Sequence, residues 1–124
     1  MDRLENEFIT LWIEDGLMFG KYKPGVLIDL AAAKKVVSDR LALCAGRDFL
    51  SITDVTGVKN ITKEARDYFS KGDGVKHMIR LALIIGSPIT RMMSNFWLEI
   101  SKPAIPTRTF TSEKDARAWL SEAK

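Results

Sequence analysis

Thr56, Gly57, Lys59 and Thr62 fall close together in the stretch SITDVTGVKNITKEAR, Ser51 to Arg66. The stretch passes from an apolar strand pattern through a polar bend into a helix pattern. Thr62 suits a helix N-cap, and Ser87, followed by Pro88, suits another. Unpaired backbone N–H groups at helix starts attract anions. Thr56, Gly57, Lys59, Thr62 and Ser87 are therefore a candidate site for a small anion, provided both helix starts open on one sheet edge. The plainer reading of the same residues is turn chemistry plus two helix caps.

Other reactive side chains stand alone. His77 is the only histidine and Cys44 the only cysteine. No HxxH, CxxC or HExxH spacing occurs, so no metal site is expected. His77 has no base or acid partner visible in sequence. Cys44 ends an apolar helical stripe, where a buried, inert thiol is the expectation. Asp15, Asp29, Asp48, Asp54 and Asp73 sit at turns or caps, where carboxylates bond backbone N–H groups. No GxGxxG or Walker loop is present, and no cofactor is expected. With no catalytic constellation, the chain reads as a non-enzyme.

These residues need elements to hold them. The 124 residues suit one domain, 1–124. Glu7–Glu14 and Leu17–Tyr22 read as strands joined at Asp15-Gly16, a tight-turn pair. Asp29 caps a helix over Leu30–Ala45. Strands follow at Phe49–Val55 and Met78–Ile85, with a helix from Thr62 to about Lys71 between them. Ser87-Pro88 opens a third helix, Thr107–Phe110 is a short last strand, and Ser112 caps a final helix. Strands alternating with helices predict a mostly parallel five-stranded α/β sheet, with an antiparallel N-terminal hairpin strand and about four helices.

The third helix carries Ile89, Met92, Met93, Phe96, Trp97 and Ile100 at spacings of three and four. Leu98 lies off that stripe. Met93, Trp97 and Leu98 are the candidate partner-binding residues, because Met and aromatic side chains are enriched at interfaces. The partner is a protein in trans or a second copy of the chain, giving a homodimer.

Net charge is +3, with 46% hydrophobic and 28% charged residues. Lys and Arg alternate with Asp and Glu rather than forming a stripe, so no nucleic-acid partner is expected. The start, MDRLENE, lacks a signal-peptide pattern. The longest apolar run, Leu81–Ile85, is too short to span a membrane, so no stable membrane insertion is expected. With a single cysteine, these features point to the cytoplasm.

The element order, with DVTG at Asp54–Gly57 and the tail IPTRTFTSEKDARAWL at Ile105–Leu120, resembles the STAS superfamily. The resemblance is to its SpoIIAA-like, anti-sigma-factor-antagonist domains and their uncharacterised bacterial branch. SNFWLEISKPAIPTRTF strengthens the likeness. It implies a SpoIIAA-like fold and a regulatory, protein-binding role. The regulatory members carry a phosphorylated Ser or Thr at the following helix start. Here Lys63 or Glu64 stands at that position, and only Thr62 offers a hydroxyl, so the phosphoswitch does not carry over. Related folds also hold apolar ligands, so the small-molecule alternative includes an anion or a lipid-like ligand near the helix starts at Thr62 and Ser87.

Overall fold

The computed structural model describes residues 2–123, so the ends of the 1–124 domain reading, Met1 and Lys124, lie outside the described residues. Asp15 and Gly16 both have positive φ, 53° and 74°. That conformation makes the tight turn linking β2 (Ile9–Glu14) to β3 (Leu17–Tyr22), and sets Glu14 opposite Leu17. A short β1 (Arg3–Glu5) adds outside β2, also antiparallel. From β3 the sheet continues in parallel through β5 (Phe49–Asp54), β7 (Met78–Ile84) and β8 (Thr107–Phe110). The order across this sheet is β1-β2-β3-β5-β7-β8.

The five expected strands are all in it, and β1 makes a sixth. A second, two-stranded parallel sheet pairs β4 (Val26–Ile28) with β6 (Val58–Ile61). These three extra strands span three or four residues each, too short for an alternating pattern to stand out. Because β6 intervenes, the DVTG bend does not lead directly into the next helix as expected.

Four α-helices occur among the described residues: α1 (Leu30–Cys44), α2 (Lys63–Ser70), α3 (Pro88–Phe96) and α4 (Glu113–Ser121). Alternation along the strands sorts the core into two faces. Leu17, Phe19, Leu50, Ile52 and Ala82 meet Ala116 and Leu120 of α4 on one face. Small residues, Ala82 and Ala116, let α4 lie close. On the other face Ile9, Leu11, Met18, Tyr22 and Phe49 pack with Ala32, Ala33 and Val36 of α1. Leu81 and Leu83 on that same face meet Trp97.

The caps are as sequence chemistry dictates. Asp29 accepts from Ala32 N at 2.8 Å, Thr62 from Ala65 N at 3.2 Å, and Ser112 from Asp115 N at 3.2 Å. Ser87 and Thr90 cap each other reciprocally at the start of α3. Past Phe96 the coil widens into a π-helical turn, Trp97–Ser101, closed by Lys102 at φ 48°. No described helix is long and apolar enough to cross a membrane.

Leu120 is the main apolar anchor of α4, at 1% exposure. Replacing it with Ala is expected to cost about 3 kcal/mol. Urea unfolding followed by tryptophan fluorescence checks this, and an unchanged midpoint would contradict the packing described.

Candidate functional site

Helix α2 packs chiefly on α1 and on the 97–101 turn, rather than directly on the sheet. Below it, Thr53 of β5 and Thr90 and Ser94 of α3 present short side chains inward. Together these leave a partly enclosed cavity of about 120 Å³ between the central strands and α1, α2 and α3. Its walls are mostly apolar, including Leu11, Ile28, Val37, Val55, Leu83 and Trp97.

Two arginines, Arg40 and Arg66, line the same cavity. Arg40 of α1 is 5% exposed. Its Nη1 donates to Lys76 O at 2.8 Å, and its Nη2 to Asp73 O at 3.1 Å and Gly74 O at 3.4 Å. Burial pushes its pKa down, and neighbouring Cys44 and Tyr22 partly offset this. Arg66 of α2 donates from Nη1 to Ile61 O at 3.1 Å and stacks 4.7 Å above the Phe96 ring. Its Nε is buried without an acceptor. Among the described residues, no ion pair includes Arg40 or Arg66. Tyr22 also faces the cavity, and burial raises its hydroxyl pKa far above the ordinary value.

Trp97 ties the roof together. Its ring is 8% exposed, and Nε1 donates to the Arg66 carbonyl at 2.9 Å. This corrects the expected partner surface. Trp97 is core, Met93 lines the cavity, and Leu98 packs half-buried against the cluster of Leu81 and Leu83. Helix α3 turns these side chains inward, and its outer face carries Ile89, Met92, Phe96 and, from the π turn, Ile100, at 58%, 67%, 47% and 64% exposure. Four of the six large apolar residues exposed in the described chain lie there.

The five-residue anion site does not assemble as expected. The Thr56 methyl does reach the start of the 86–87 turn: a Cβ on Gly86 would fall 2.6 Å from it. The bend itself is held by Asp54, whose Oδ1 accepts from Thr56 N at 2.9 Å and Thr56 Oγ1 at 2.6 Å. Gly57 is there because a Cβ would come within 2.6 Å of Tyr22 O, and its own carbonyl accepts from Gly25 N and Val26 N. Lys59 is exposed on β6. Thr62 belongs to the edge of the small sheet, where its N–H donates to Ile28 O. The hydroxyls of Thr62 and Ser87 each cap their own helix. Ser87 alone of the five lines a second, open cleft, beside Arg91, Asn95 and Thr111.

His77 has a partner that the sequence did not reveal. Its Nδ1 lies 2.7 Å from Asp48 Oδ1, and His77 itself sits at φ 64°. Cys44 is buried, and burial pushes its thiol pKa up. No group of three or more His, Cys, Asp or Glu placed to hold a metal occurs among the described residues.

A family model described as a domain of unknown function, DUF7793, matches residues 11–124. No curated protein matches the chain. Among solved structures, an uncharacterized protein from the DUF3478 family with a SpoIIAA-like fold, from Shewanella loihica PV-4, aligns with a TM-score of 0.58 at 14% identity. The alignment covers 94% of this chain and 98% of that one. At that identity the likeness is one of fold, and the fold is SpoIIAA-like.

Folded protein is expected to leave Cys44 unreactive toward Ellman's reagent at pH 8, with one thiol released on unfolding in guanidinium. Rapid reaction of the native protein would place that thiol outside the core.

Proposed function

We propose that this chain, which belongs to the DUF7793 domain family, is a non-enzymatic binding domain that takes a small apolar molecule into the cavity under α2 and α3. The observation that carries the reading is the cavity itself: about 120 Å³ with apolar walls, at the centre of the fold. Left empty, a cavity of that size forfeits on the order of 3 kcal/mol of packing. An apolar cavity of about 150 Å³ engineered into another protein stays dry and takes benzene. The occupant's apolar body is thus about the size of one aromatic ring or a short alkyl chain. This moves the small-molecule site away from the helix starts at Thr62 and Ser87.

A second reading rests on the outer face of α3. Ile89, Met92, Phe96 and Ile100 form an exposed apolar stripe, with Arg91 and Glu99 beside it. A two-fold antiparallel pairing of two α3 helices would set Arg91 of one copy near Glu99 of the other. That charge match favours a second copy of this chain as the occupant. A regulatory role through a protein partner in trans, of the kind the anti-sigma-factor-antagonist likeness implies, would use the same stripe.

Thermal unfolding tests the first reading. Indole or toluene at a hundredfold excess over Kd is expected to stabilise the protein by about 2.7 kcal/mol, which is roughly 10 °C in Tm. Ser94→Phe, which fills the cavity with a ring, is expected to abolish the shift. No shift with any small apolar probe, and no small molecule carried through native mass spectrometry, would end this reading. Light scattering tests the second: wild type is expected to dimerise with concentration, and Phe96→Asp to remain monomeric. A wild-type monomer at millimolar concentration would remove the homodimer.

A further inference from the structure

We infer that the cavity's ligand is an amphiphilic anion, with a compact apolar body and a single carboxylate seated on the Nε edge of Arg66. The inference rests on the cavity reading above and names the chemistry of its occupant. A buried donor without an acceptor is rare in folded proteins and calls for a specific cause. Arg66 Nε is such a donor, on a residue that lines an apolar cavity. Nη1 is already used on Ile61 O, and the guanidinium carbon lies 4.7 Å from the centre of the Phe96 ring. What remains is the Nε–Nη2 edge, for which no protein acceptor occurs among the described residues. That edge is a fork that receives a carboxylate with two parallel hydrogen bonds.

Charge points the same way. Arg117, on the surface, is met by Glu14, Asp15 and Glu113, all within 3.0 Å. Arg40 and Arg66, on the cavity wall, meet backbone carbonyls and an aromatic ring but no carboxylate. Arg40 is buried and Arg66 is partly buried, and an anion entering beside them would offset the cost of a cation held away from water. Arg40 need not touch the ligand to favour it, since its charge acts across an apolar space of low dielectric. The wall provides one open fork, a few hydroxyls and otherwise mostly apolar surface, which suits a carboxylate. A phosphate, with three strong acceptor oxygens and up to two charges, would call for more charged donors than one open fork.

The test compares matched acid and alcohol probes on the intact protein at about 0.15 M salt. Titration calorimetry would measure phenylacetate against 2-phenylethanol, and octanoate against octan-1-ol. Each acid is expected to bind at least tenfold more tightly than its alcohol. Arg66→Met is expected to bring acid affinity down to that of the alcohol, and Arg66→Lys to keep part of the preference. Arg66 also stacks on Phe96, so the wild-type comparison decides without any variant. Alcohols binding as tightly as acids would overturn the anion and leave the apolar cavity standing. Failure of all four probes would overturn the cavity reading with it.

Discussion

The hydrogen bond from Trp97 Nε1 to the Arg66 carbonyl joins α2 to the segment that follows α3. On its other side α2 buries Ala65 completely in the cluster that includes Ala32, Ala33 and Val36 of α1. Held at both sides, this eight-residue helix bridges its neighbours instead of sinking onto the central strands. The opposite face of the sheet shows the alternative. There a single helix, α4, packs Ala116 and Leu120 into the cluster that includes Ala82. The cavity is thus a consequence of how three helices share one face.

Much of this was legible from residue types. Asp15-Gly16 fixed the hairpin, Asp29, Thr62, Ser87 and Ser112 marked four helix starts, and the stretch Met78–Ile85, apolar apart from Arg80, marked a central parallel strand. The short strands β1, β4 and β6 were not, because their pairing depends on distant chain rather than local pattern. Two signals of the cavity were present without being read that way. Arg40 stands one turn from both Val36 and Cys44, on the apolar stripe of α1. Thr90 and Ser94 interrupt the inward stripe of α3 at Met93 and Trp97 with small polar residues. A charged residue on one inward stripe and short polar residues on another are what the wall of this cavity looks like in one dimension. Which side of α3 faced inward was decided only by packing, since both sides carry large apolar groups.

The bend at Asp54–Gly57 illustrates why likeness of fold stops short of function. Its residues have full structural employment. Asp54 fixes Thr56, Gly57 lets the 22–26 segment approach, and the Thr62 hydroxyl closes the first turn of α2. Phosphorylating Thr62 would remove that cap geometry while adding charge near a favourable helix dipole, two effects of opposite sign. Nothing in the bend is left over to be explained by a ligand. The Nε of Arg66 is left over, and it lies one turn into the same helix.

Helix α3 gives the two proposed binding events a common element. Thr90, Met93 and Ser94 face the cavity, and Ile89, Met92 and Phe96 face outward, all within one nine-residue helix. A ligand shifts a protein only by binding one conformation better than another. A ligand that favoured one position of α3 would, by reciprocity, couple with the same free energy to anything that binds the outer stripe. The two proposed binding events would then be coupled through the one helix that carries both faces, α3.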